Sequence, residues 1–204
     1  MLRSIRLFAG AAVVVLASAS LAQPPKDMPN ADGYFPLKPK SKWTYKVQDQ
    51  TVEVVVAGTE KFNNEDCIKV DTLVNGKVVA SELYSVKADG VYRVKVKDDK
   101  IDPPVKVLAV PVKKDVSWEL KSKVGSQTVS GTYKIKDDKE KVETPAGKFE
   151  AVLVEGVDLD VAGTKTTVRT WFVKDKGIVK LEYKIQDAVS SLELTKADLP
   201  TSSD

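Results

Sequence analysis

The 204-residue chain has no histidine and one cysteine, Cys67. A Ser–His–Asp triad, a Cys–His dyad, a histidine-ligated zinc and an imidazole base are therefore excluded within it, as is an intrachain disulfide. Strong net charge is also lacking: 32 Lys and Arg stand against 29 Asp and Glu, a formal +3. Arginine is scarce, with only Arg93 and Arg169 beyond residue 22. Bidentate recognition of phosphate and bases leans on arginine, so the chain is a poor candidate for binding nucleic acid. The one long apolar run, Leu7 to Leu16, is too short to span a bilayer.

That run follows Arg3 and Arg6 and precedes Ser20-Leu21-Ala22, the arrangement of a secretory signal peptide over 1–22. Cleavage is expected before Gln23, with Ala17-Ser18-Ala19 as the competing site. No cysteine follows the cleavage point, so acylation there is not expected. No second apolar span exists, and a periplasmic or secreted protein follows. Loss of Arg3 and Arg6 leaves 30 basic residues against 29 acids, or +1. Residues 23–33 read as an extended leader, 34–195 as a single β domain and 196–204 as a disordered tail.

Alternation of period two fills the domain. Trp43, Tyr45 and Val47 alternate with Lys42, Thr44 and Lys46, and Tyr92, Val94 and Val96 with Arg93, Lys95 and Lys97. Val179, Leu181, Tyr183 and Ile185 do the same against lysine and glutamate. These are antiparallel strands with one buried and one wet face. Asn75-Gly76, Asp89-Gly90, Ala146-Gly147, Ala162-Gly163 and Lys176-Gly177 supply turns. Asp102-Pro103-Pro104 is the one mid-chain break, and a helical turn is conceivable only near Thr195–Leu199. An internal echo sets SELYSVKADGVYRVKVK (81–97) over VRTWFVKDKGIVKLEYK (168–184) without a gap. Trp43 matches Trp118, and Gln50-Thr51-Val52 matches Gln127-Thr128-Val129. Duplication is favoured, with halves at 34–101 and 105–186 and about five strands each. The expectation is an all-β fold of about ten strands, one strongly curved antiparallel sheet forming a half-open or closed barrel.

Tyr34-Phe35-Pro36-Leu37 with Trp43-Thr44-Tyr45, then Thr144-Pro145-Ala146-Gly147-Lys148-Phe149, Trp171-Phe172 and Gly177-Ile178-Val179-Lys180, resembles a group of uncharacterised exported bacterial β-proteins. In architecture that group is similar to the unclosed antiparallel sheets of the lipoprotein-carrier (LolA/LolB-like) superfamily. The resemblance implies a fold and a compartment, and no reaction. Many of the group look lipidated, and this chain departs from them in lacking the cysteine.

Catalytic motifs are missing: there is no S-x-x-K and no G-x-S-x-G, and an enzyme is not expected. Asp98-Asp99 with Asp102, Asp137-Asp138 and Asn63-Asn64-Glu65-Asp66 could offer oxygen ligands to calcium. None has a spaced ligand loop, and solvated turns are the simpler reading, so no metal or cofactor is expected. Cys67 reads as a small buried hydrophobe. Trp43, Tyr45, Trp118, Tyr133, Phe149 and Trp171 are the candidate lining of an apolar groove, or equally the anchors of a filled core. Two functions follow: a carrier of lipid or another apolar ligand, or a structural or protein-interaction module of the envelope.

Overall fold

Each alternating run becomes a strand, and there are twelve. The computed structural model describes residues 31–200; the expected signal peptide, most of the leader and the last four residues lie outside them. The strands are β1 (Lys42–Val47), β2 (Gln50–Phe62), β3 (Glu65–Val74), β4 (Lys77–Lys87), β5 (Gly90–Val96) and β6 (Asp99–Ala109). They continue as β7 (Ser117–Val124), β8 (Gln127–Thr144), β9 (Gly147–Val161), β10 (Thr164–Val173), β11 (Gly177–Ile185) and β12 (Ala188–Asp198). Every strand pairs with its neighbours in sequence, and β1 also pairs with β12, so the sheet closes into a barrel. Closure leaves no free sheet edge. The unclosed sheet of the carrier superfamily is therefore not the form adopted.

The strand missed in each half is the last one. β6 contains Pro103 and Pro104, which looked like a break. Neither has a ladder partner on β5 or on β7, so their missing N–H groups cost no ladder bond. β12 takes in Thr195 to Asp198, most of the stretch Thr195–Leu199 where a helical turn is conceivable from sequence. Residues 196–198 of the expected tail are therefore strand, and Leu199 packs against the core.

The echoed segments lie six strands apart. Residues 81–97 form β4 and β5, and 168–184 form β10 and β11; Trp43 and Trp118 open β1 and β7. In a twelve-strand ring an offset of six places them on opposite walls. The expected halves, 34–101 and 105–186, divide within β6 and end before β12. Where the halves meet, β6 and β7 pair only through Ile101–Val124 and Asp102–Lys123. Side chains of β7 bridge the gap: Ser122 Oγ donates to the Pro103 carbonyl at 2.6 Å and Trp118 Nε1 to the Lys106 carbonyl at 2.9 Å.

An up-and-down barrel gathers alternate turns at each end. The turns at 48–49, 75–76, 97–98, 125–126, 162–163 and 186–187 surround one end. The other end is crossed by residues 31–41. Asp175 N donates to the Gly33 carbonyl at 2.8 Å, and Val56 N to the Ser41 carbonyl at 2.9 Å. Phe35 lies 5.4 Å from the ring of Tyr84 on β4 and 6.0 Å from Phe172 on β10, measured between ring centres. Those strands are on opposite walls, so one phenylalanine spans the lumen and stoppers it.

Inside, Ile68, Val91, Leu108, Ile135, Val154 and Val179 pack below this stopper. A second apolar cluster of Ile101, Val105, Leu120 and Leu159 lies toward the other end. Outside, Arg169 reaches Glu155 and Glu182, its direct partners on β9 and β11. Lys180 pairs with Glu193 and Lys42 with Glu53. A barrel facing lipid needs an apolar outer band; these charged ladders are the opposite arrangement. Among the described residues no helix is long and apolar enough to cross a membrane.

Gly90 opens β5 at φ +153°, and a Cβ there would collide with the Leu108 carbonyl oxygen of β6. At Gly163, φ +86°, a Cβ would meet open space. Gly163→Ala is expected to cost about 1 kcal/mol from backbone conformation alone. Gly90→Ala is expected to cost about 3 kcal/mol because it also forces two strands apart. Urea unfolding of both variants checks the difference.

Candidate functional site

The polar groups inside the barrel are few and gathered at one level. On β4, Glu82 and Tyr84 alternate with Leu83, which packs with Cys67 and Val94 on the outer face. Glu82 and Tyr84 therefore point inward. Arg93 on β5 is the direct cross-strand partner of Tyr84, and Val105 on β6 is the partner of Arg93 on its other side. Arg93 Nη1 donates to Glu82 Oε1 at 2.9 Å, and Tyr84 Oη donates to Glu82 Oε2 at 2.5 Å. Both carboxylate oxygens of Glu82 are thus committed.

Two further phenols face this pair from other walls. Tyr133 on β8 and Tyr183 on β11 both interact electrostatically with Arg93, and Tyr183 also with Glu82. β5 and β11 are opposite strands. Burial pushes the phenols up, Tyr133 to about 12, so they are neutral donors at physiological pH. Burial by itself would lower the Arg93 guanidinium. The surrounding phenols and Glu82 outweigh it, and the group is charged at every ordinary pH.

Arg93 lies deep in the barrel, yet 33 % of its side-chain surface is accessible. Tyr133 and Tyr183 share this double character, deep but not covered. The stopper half of the lumen is filled, since Val91, Leu108, Ile135 and Val179 have no exposed surface. Arg93, Tyr133 and Tyr183 lie between that packed half and the second cluster, in which Ile101, Leu120 and Leu159 are buried as well. At the unstoppered end Val78, Val79, Ile185 and Val189 are exposed apolar residues.

The six residues expected to line a groove fall into three positions. Trp43 and Tyr45 are buried inside β1, where Trp43 Nε1 donates to the Lys176 carbonyl at 2.6 Å and Tyr45 Oη to that of Ile178 at 2.9 Å. They hold the stoppered end together. Trp118 and Tyr133 are cross-strand partners with stacked rings 5.9 Å apart, and Tyr133 is partly accessible. Gly156 faces Tyr133 from β9, and a Cβ there would strike its ring at 2.7 Å. Phe149 and Trp171 share the outer face of β9 and β10 with Leu153, under the ammonium groups of Lys176 and Lys180.

Sequence reading missed Glu82, Tyr84, Arg93 and Tyr183 as a group. Arg93 was assigned to a wet face because it alternates with Tyr92 and Val94. A bulge at Val94 reverses that alternation, turning Tyr92 and Val94 outward and Arg93 inward. One signal was available: Arg93 is one of only two arginines in a lysine-rich chain.

Other candidates resolve simply. Asp137 accepts from Lys139 N at 2.9 Å and lies 3.9 Å from Lys114. Asp102 pairs with Lys100, and Glu65 with Lys87. Two surface clefts exist, about 480 Å³ beside Asp32, Val112 and Lys174 and about 360 Å³ beside Val79, Leu83 and Lys95. The first lies over the stoppered end and the second on the outer wall.

Cys67 is covered to 1 % exposure by a single layer of outer-face side chains. Burial, reinforced by Glu65 and Asp66, pushes its thiol to about 11. At pH 8 it is expected to resist iodoacetamide for hours in the native protein and to react within minutes in 6–8 M urea, as mass spectrometry would show. Glu155 gives a pH signature. Burial raises its carboxyl, but Arg169 and Lys136 outweigh this and hold it below the ordinary range. Its stabilising contribution is therefore present above the unfolded-state pKa of about 4.3. It is lost as pH falls through the lower folded value. Glu155→Gln is expected to cost about 1 kcal/mol at pH 7 and nothing at acid pH, as thermal melts across pH would show.

No family model matches this chain, and no curated protein matches it. Two solved structures share the fold. One is described as a "putative lipoprotein" from Parabacteroides distasonis ATCC 8503, with TM-score 0.55 and 13 % identity, covering 82 % of this chain and 99 % of that one. The other is described as a "putative exported protein with YmcC-like fold" from Bacteroides fragilis NCTC 9343, with TM-score 0.53 and 13 % identity, covering 80 % and 98 %. At such identity the likeness is one of fold alone, and it spans nearly the whole of both neighbours.

Proposed function

We propose that this protein is an exported, non-catalytic binding barrel of the bacterial envelope, whose lumen takes an apolar or amphiphilic ligand through its unstoppered end. The observation that carries this reading is the accessible surface of Arg93, Tyr133 and Tyr183 deep inside a closed wall. A core meant only to be filled does not hold an arginine and three tyrosines. Apolar clusters flank these groups, and Ile185 is exposed at the unstoppered end. Small-molecule sites are typically such mostly apolar concavities with a few convergent polar groups.

Export is supported by the n-region, apolar run and small-residue site of 1–22, and by the printed descriptions of both fold neighbours. One neighbour is described as a lipoprotein; here the sole cysteine, Cys67, is built into β3. The lack of histidine supports a binding rather than a hydrolytic role. The alternative, an interaction module of the envelope, is favoured by the filled stopper half alone.

The mature protein, delipidated in guanidinium and refolded, is expected to take up one equivalent of the neutral probe N-phenyl-1-naphthylamine with a fluorescence rise. Native mass spectrometry of protein from its own envelope is expected to show a bound small molecule. Absence of both uptake and adduct would leave the interaction-module reading in its place.

A further inference from the structure

We infer that Arg93 is the head-group site of the lumen and that the ligand it selects is a single-chain amphiphile ending in a carboxylate. This rests on the luminal binding proposed above and specifies its chemistry.

The inference comes from counting donors and acceptors. Glu82 is the charged acceptor at this level, and both its oxygens are taken, by Arg93 Nη1 and Tyr84 Oη. Arg93 Nε is hidden from solvent and has no hydrogen-bond partner. The hydroxyls of Tyr133 and Tyr183 have no hydrogen-bond partner among the described residues, and both face Arg93. Outside the barrel the other arginine uses the equivalent atom, with Arg169 Nε donating to Glu155 at 2.8 Å. Inside, that edge of the guanidinium is idle. An orphaned buried donor costs free energy unless something else accepts from it.

The surplus is one of donors: the unused guanidinium edge and two neutral phenols, with no spare carboxylate among them. A group rich in acceptors, carrying negative charge and flat enough for the guanidinium edge, completes the set, and a carboxylate meets all three conditions. The rest of the molecule must be apolar. Toward the open end the partly buried Val96 and Val168 stand over the packed Ile101, Val105 and Leu120, and the exposed Ile185 follows near the 186–187 turn. Phe35 blocks the opposite direction. The head therefore sits deepest, against Arg93 and the tyrosines, and the chain runs out toward the mouth.

Titration calorimetry of the delipidated mature protein with palmitate and with hexadecanol, matched in chain length, tests this. Wild type is expected to bind palmitate at least about tenfold more tightly than the alcohol, as a charge-assisted hydrogen bond implies. Removing Arg93 alone strands the Glu82 charge and risks unfolding, so the variant is the double one, Glu82→Gln with Arg93→Gln. It is expected to lose the preference for the acid, with the two affinities within about twofold of each other. Equal wild-type affinities for acid and alcohol, or a preference surviving in the double variant, would overturn the head-group assignment and leave luminal binding standing. Failure of wild type to bind either compound or the neutral naphthylamine probe would overturn luminal binding itself.

Discussion

The pairing of β1 with β12 is the constraint on which the rest of this protein depends. Lys42 to Lys46 align with Asp198 to Glu193, and that ladder turns a twelve-strand meander into a ring. Once the ring is closed, every side chain is either inside or outside, and no strand edge remains to be protected by charge. Closure also fixes which walls oppose each other. Strands six apart face across the lumen, which is why Phe35 can touch β4 and β10 together and why Tyr183 on β11 feels Arg93 on β5.

The two arginines show what this partition does to chemistry. Arg169 and Arg93 each sit beside a glutamate on a neighbouring strand. On the outer wall Arg169 is satisfied by direct partners on both sides, and solvent screens whatever is left over. In the lumen Arg93 has one carboxylate, already shared with Tyr84, and a low-polarity wall around it. The same residue type is ordinary surface polarity in one place and unfinished business in the other. That asymmetry comes from position alone, because both residues lie in alternating strands of similar composition.

Much of the architecture was legible in the chain. Period-two alternation showed the strands, and dipeptides such as Asn75-Gly76 and Ala162-Gly163 marked hairpins that exist. The echo of 81–97 in 168–184 reflects strands half a turn apart around the ring. The last strand of each half was not legible. In β6 the two prolines look like an interruption until one sees that neither ladder uses their nitrogens. The luminal site was least legible. A bulge at Val94 changes which side of the sheet Arg93 occupies, and a bulge leaves no mark in hydrophobic periodicity. The aromatic residues chosen from sequence divide between the stoppered end, the lumen and the outer wall for the same reason: residue type does not say which face a bulged strand presents.

By itself the sequence determined the class of fold, the antiparallel order of its strands, the exclusion of histidine chemistry and the presence of only two arginines after the apolar leader run. These follow from local rules, namely side-chain alternation, turn geometry and composition. Only the tertiary structure decided that the ring closes, that one end is stoppered, and that one arginine lies inside and the other outside. The reason is physical: inside and outside have no meaning along a strand. They come into being when residues about 150 positions apart, Thr44 and Lys196 among them, pair and complete the wall.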